Sequence, residues 1–255
     1  MKLDYDKEIN ILSDLHEVDS NECLIISDDE GTEHYWNTAK IMEDILSDNC
    51  FLKWKDNTSS HFPPDFINTE EMLIMEVMRF DDHSADGKKN PVLARERTIA
   101  NEIKSSLNFP QQTRVMINAN TSLPTDEDHN YRFLYTSFQR TVRKHLTKLK
   151  AYKNNYPKTK SIFLVLNETS GNYFEVNDDG LCRPHIIFYD NRFLETFIDS
   201  DLDYLILFNP YNHVDASYDD LELPKVIIFD ISRLRNCKIM KFFNYDESRM
   251  KSSEI

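Results

Sequence analysis

Glycine is scarce in this chain: four in 255 residues, at Gly31, Gly87, Gly171 and Gly180, each standing alone. With so few, neither GxGxxG nor GxxxxGK(S/T) can be written. This disfavours Rossmann dinucleotide binding and P-loop hydrolysis, which need glycine backbones closed around phosphate, so no nucleotide cofactor is expected. HExxH and GxSxG are missing too, and the eight histidines show no metal-ligand spacing. The four cysteines, Cys23, Cys50, Cys182 and Cys237, form no CxxC pair. They read as reduced thiols of a cytoplasmic protein, neither a zinc site nor a disulfide frame. No apolar run approaches the roughly 18–20 residues of a membrane span, and MKLDYDKEIN at the N-terminus lacks a signal core. No membrane partner is expected. Positive charge is in deficit as well. Lys and Arg total 30 against 44 Asp and Glu, a net charge of −14 that argues against indiscriminate association with nucleic acid or anionic membrane.

What is present reads as a globular α/β chain, with 40% hydrophobic and 29% charged residues and enough length to bury a core. Ile9, Leu12, Leu15 and Val18 recur at helical spacing, Glu22–Ser27 has a strand pattern, and Trp36–Leu46 reads as a helix. Phe51–Lys55 alternates like a half-buried strand. Strands are also expected at Pro64–Asn68 and Met72–Phe80, a mobile polar loop over Asp81–Pro91, and a helix over Val92–Leu107. After Pro157 come short, nearly continuous apolar runs at Ser161–Leu166, Ile186–Tyr189, Tyr204–Phe208 and Val226–Phe229, suited to strands buried on both faces. A short helix is expected at Asn191–Ile198, an edge strand at Lys238–Phe243, and a frayed tail from Asp246.

One segment departs from the overall charge. From Tyr131 to Asn167 there is no acidic residue, while Arg132, Arg140, Arg143, Lys144, Lys148, Lys150, Lys153, Lys158 and Lys160 are all there. Leu134, Phe138, Val142, Leu149 and Tyr152 recur at helical spacing, so one face of a long helix is predicted to be buried. Arg140, Lys144 and Lys148 stack four apart on roughly the opposite face, with Arg143 beside them. Such a ridge either faces the phosphates of a nucleic acid or is a solvated surface that balances the acidic remainder or meets an acidic protein partner.

The stretch His61–Phe80, HFPPDFINTEEMLIMEVMRF, carries the strongest chemical signal. Met72–Phe80 puts Met72, Ile74, Glu76, Met78 and Phe80 on one strand face and Leu73, Met75, Val77 and Arg79 on the other. An acid inside such a strand needs a partner, a metal or water, because an unpaired buried charge is costly. Asp65, eleven positions earlier on the adjacent strand, is expected to come close enough to share a divalent cation with Glu76. Hard carboxylate oxygens suit Mg²⁺, which activates water and stabilises charge at a phosphate.

Pro64-Asp65, ten intervening residues and then Glu76-Val77-Met78 resemble the motif of the PD-(D/E)XK nuclease superfamily. The element order resembles that superfamily's α-β-β-β-α-β core over roughly residues 34–167, with Glu43 on the first helix where many members carry an auxiliary acid. The resemblance implies a restriction-endonuclease-like fold and hydrolysis of phosphodiester bonds, of a bacterial restriction or defence kind. It implies Mg²⁺ or Mn²⁺ as cofactor, Asp65 and Glu76 as catalytic metal ligands with Glu43 as a third, and Arg140, Arg143, Lys144 and Lys148 as nucleic-acid contacts. Met78 departs from the pattern, standing where the family keeps a lysine that positions the attacking water; a thioether cannot do this. Arg143, Lys88 and Lys89 are the candidates to reach in instead. Two other readings stand beside the nuclease: an inactive relative that binds nucleic acid or protein through the ridge, and an unrelated acidic α/β interaction module. The expected organisation is an N-terminal elaboration (1–33), a nuclease-like α/β core with a mixed sheet flanked by helices (34–167), a C-terminal β-α-β extension (168–244) and a frayed tail (245–255).

Overall fold

The computed structural model describes residues 8–18, 23–26, 33–35, 51–57, 64–82, 130–169, 171–211, 224–235 and 243–252. Expectations for Trp36–Leu46, Val92–Leu107 and most of the Asp81–Pro91 loop, and with them Glu43, Lys88 and Lys89, lie outside those residues.

Two long strands form the centre. β5 (Leu73–Phe80) and β6 (Lys160–Asn167) run parallel in register, Leu73 opposite Lys160 and Phe80 opposite Asn167. Their side chains alternate between two cores, as strand geometry requires. Ile74, Met78, Phe80, Phe163 and Val165 enter one core, and Leu73, Met75, Val77, Ile162, Leu164 and Leu166 the other. β9 (Tyr204–Phe208) lies parallel to β6 on its far side, and β10 (Val226–Asp230) pairs antiparallel to β9. β1 (Cys23–Ile26) runs parallel to β10, with β2 (Glu33–Tyr35) antiparallel at the edge. On the other flank β4 (Phe66–Asn68) and β3 (Lys55–Asp56) extend β5 antiparallel. Among the described residues the result is an eight-stranded mixed sheet in the order β2-β1-β10-β9-β6-β5-β4-β3. It joins strands from the N-terminal segment, the centre and the C-terminal half of the chain.

Helices cover both faces. α1 (Glu8–His16) packs Ile11, Leu12 and Leu15 into the second core. α2 (Tyr131–Asn155) links β5 to β6 and lays Tyr131, Leu134, Phe138, Val142, Leu149 and Tyr152 on the first core, the face predicted from spacing. The Asn130 side chain caps its start by accepting from Phe133 N at 3.0 Å. Pro157, just past the cap residue Tyr156, cannot continue it. Between β6 and β9 the chain forms β7 (Tyr173–Val176), β8 (Cys182–Pro184) and the short α3 (Asn191–Leu194). Among the described residues no helix is long and apolar enough to cross a membrane.

Three local expectations are corrected. Phe51–Lys55 is not a strand: Trp54 N bonds Phe51 O at 3.2 Å, closing a turn that buries Trp54, and only Lys55–Asp56 remains extended. Ile186–Tyr189 is a 3₁₀ turn rather than a strand, closed by Tyr189 N to Ile186 O at 2.9 Å, and it delivers Asp190 into the core. The tail does not fray at once. Asp246 caps a 3₁₀ turn over Glu247–Arg249, and β11 (Met250–Ser252) joins β7 and β8 in a second, three-stranded sheet.

Candidate active site

The antiparallel ladder of β4 and β5 ends at Phe66 opposite Met75. One step further along the same register, Asp65 comes opposite Glu76, and directly opposed residues share a face. Asn57 holds Asp65 there: its N–H donates to the Asp65 carbonyl at 2.7 Å, and its side-chain Nδ2 donates to the Pro64 carbonyl at 2.8 Å. The Asp65 side chain reaches over to β5, where Oδ2 accepts from Val77 N at 2.8 Å.

Glu76 projects beneath α2. Two residues of that helix close on one of its oxygens: His145 Nδ1 lies 2.7 Å from Oε1, and the Tyr152 hydroxyl donates to the same Oε1 at 2.9 Å. They are seven residues apart, two turns on one helix face. The His145 ring stands edge-on to Phe163 of β6. The other oxygen, Glu76 Oε2, is buried and has no hydrogen-bond partner among the described residues. An unpartnered oxygen on a side chain only 5% exposed is uncommon, since a buried charged acceptor without a donor costs on the order of 1–3 kcal/mol or more.

The electrostatics follow from this crowding. Burial first, and the Glu76 carboxylate second, push the Asp65 carboxyl up to about 6, against a smaller opposing effect of the Val77 N–H. Burial and then Glu76 likewise raise the Tyr152 phenol far above its ordinary range, so it stays a donor at any working pH.

Of the residues singled out in the sequence, Asp65 and Glu76 come together in the described structure. Arg140, Arg143, Lys144 and Lys148 are exposed on the solvent side of α2, and among the described residues none of them makes an ion pair. Met78 is 4% exposed and packs in the core under α2, so the position where the resemblance expects a lysine is a packing position here. Arg79 points to the other side and pairs with Glu168 at 3.6 Å.

Sequence reasoning overlooked His145 and saw Tyr152 only as a core residue. A signal for His145 was there. Positions 138, 142, 145, 149 and 152 follow a four-three-four-three spacing, and His145 is the one polar side chain in an otherwise apolar or aromatic stripe.

Asp65 and Glu76 are suited to a divalent cation of the Mg²⁺ kind. Two neighbouring carboxylates concentrate negative charge, and one of their oxygens is sealed in without a donor. Among the described residues no three His, Cys, Asp or Glu side chains form a ready-made ligand set. Mg²⁺ does not require one, because it is commonly held by one or two carboxylates with water and substrate phosphate completing its shell. A separate recess at the ends of β6 and β9, lined by Asn167, Thr169, His185 and Asn209, encloses about 20 Å³. That space suits a water rather than a substrate. Comparison of the chain with family models, curated proteins and solved structures yields no match.

Proposed function

We propose that the protein is a divergent metal-dependent phosphodiester hydrolase of the PD-(D/E)XK kind, acting on nucleic acid. The observation that carries this reading is Asp65, one step beyond the Phe66–Met75 pair and bonded to Val77 N, beside a Glu76 whose Oε2 is buried and, among the described residues, unpartnered. Asp65 and Glu76 would hold Mg²⁺ or Mn²⁺ through their carboxylates. The cation, when bound, supplies Lewis-acid stabilisation of charge at the phosphate and a water activated for attack. Arg140, Arg143, Lys144 and Lys148 supply the positive charge that an acidic chain needs to hold a phosphate backbone, on the same helix that closes over Glu76. The buried Met78 favours a second reading, an inactive relative that binds nucleic acid by the same ridge without cutting it.

The test is incubation of the purified protein with labelled single- and double-stranded DNA and RNA in Mg²⁺ or Mn²⁺. Cleavage is expected, and it should vanish with chelator and in Asp65→Ala or Glu76→Gln while the fold survives. Arg140→Glu combined with Lys144→Glu should weaken nucleic-acid binding and reduce its log–log salt slope by about two, because two fewer counterions are released. Binding without metal-dependent cleavage selects the inactive relative. Neither binding nor cleavage defeats both readings.

A further inference from the structure

We infer that His145 and Tyr152 are positioning residues for a cation ligand: by both bonding Glu76 Oε1 they leave Oε2 as its single coordinating atom. This rests on the metal-dependent reading of the site and goes further, assigning each oxygen of Glu76 a different task.

A carboxylate has two equivalent oxygens, and two donors arriving from one helix could take one each. That arrangement would satisfy the whole group. Instead both donors converge on Oε1, at 2.7 and 2.9 Å, and Oε2 stays buried with none. Rotating the carboxylate by half a turn only exchanges the names of the atoms. Fold stability alone does not account for a sealed oxygen without a donor beside a second acid. A cation accounts for both, since it takes the lone pair of Oε2 and offsets the charge of Asp65. The two donors also remove rotational freedom from the Glu76 side chain, which ligand-supporting partners do in metal sites generally.

Elsewhere under α2 a tyrosine and a histidine converge on one carboxylate oxygen in the same way, but there the second oxygen has a donor of its own. Asp190 Oδ2 accepts from the Tyr131 hydroxyl at 2.5 Å and from His185 Nε2 at 2.9 Å, while Asp190 Oδ1 accepts from Arg192 N at 3.0 Å. Both of its oxygens are used. That network supplies an internal control for a role confined to folding.

The experiment is a Mn²⁺ titration of the full chain, followed by the loss of the free-ion electron paramagnetic resonance signal, with thermal unfolding measured without metal. Tyr152→Phe keeps the ring and removes only the hydroxyl; it should weaken Mn²⁺ binding about tenfold, and Tyr152→Phe with His145→Leu about a hundredfold. His145→Asn places an amide nitrogen where Nδ1 lies and should hold affinity within about threefold of wild type, a rescue that a packing role does not produce. Tyr131→Phe, the control, should lower the unfolding temperature and leave Mn²⁺ affinity unchanged. Wild-type affinity in a folded Tyr152→Phe variant overturns the positioning role while leaving the metal reading intact. Failure of the wild-type protein to bind Mn²⁺ overturns both.

Discussion

Asp190 and Glu76 are carboxylates sealed beneath the same helix, and each is bonded by one tyrosine and one histidine. Asp190, fully buried, has a partner on each oxygen and caps α3 through Arg192 N. Its tyrosine comes from the start of α2, and its histidine from the loop after β8. Glu76 takes both donors from α2 on one oxygen, leaves the other unpartnered among the described residues, and lies beside Asp65, one step beyond the end of the β4–β5 ladder. The residue types and the burial are nearly the same in the two places. What differs is the bookkeeping of lone pairs and charge. A complete set of bonds goes with a group that holds the fold together; in our proposal the incomplete set at Glu76, beside a second acid, leaves a place for a ligand.

Substitutions break or sharpen that contrast. The largest effect is expected from Asp190→Ala, which strips the acceptor from three donors and should cost about 3–5 kcal/mol in denaturant unfolding. Glu76→Gln keeps an oxygen for His145 and Tyr152 and removes a buried charge, so its stability should stay within about 1 kcal/mol of wild type. Equal losses at the two positions would erase the distinction drawn here.

Met78→Lys comes next. It brings an ammonium into the packing under α2, two residues along the strand from Glu76, and the same measurement should show a loss of about 2 kcal/mol. A neutral or stabilising result would show that Glu76 Oε2 can take an ion-pair partner without metal.

Asp65→Asn has an expected effect of the opposite sign. The folded-state carboxyl sits near 6, above its ordinary 3.8, so its contribution to stability is fully present below about pH 3.8 and is lost as pH rises through 6. An amide cannot ionise and still accepts from Val77 N. The variant should therefore be more stable than wild type without metal by about 1–2 kcal/mol at pH 7.5, allowing for the partial exposure of Asp65, with the gain shrinking to nothing near pH 4. A pH-independent difference would mean that burial and Glu76 do not strain Asp65.

Much of the frame was legible in the sequence because it depends on short-range pattern. The face of α2 follows from Leu134, Phe138, Val142 and Leu149 at helical spacing, and the alternation of β5 between two cores from LIMEVMRF. The antiparallel pairing of β4 with β5 was readable for a similar reason, since a short turn between two strands leaves few registers. Phe51–Lys55 and Ile186–Tyr189 misled because alternating or apolar residues also fit turns when burial of Trp54 or Asp190 is decided elsewhere in the fold.

By itself the sequence determined α2 and its buried face, the central strands β5, β6, β9 and β10, the acid on β5 and the absence of acids across α2. Each is written within a few residues, where sterics and periodicity act. The tertiary structure alone decided that His145 and Tyr152, 69 and 76 positions away, converge on one oxygen of Glu76 and none on the other. It also decided that Met78 packs where the family resemblance expects a lysine to act. Hydrogen-bond satisfaction depends on distances of a few tenths of an ångström between segments remote in the chain, and no local pattern encodes those until the helix has docked on the sheet.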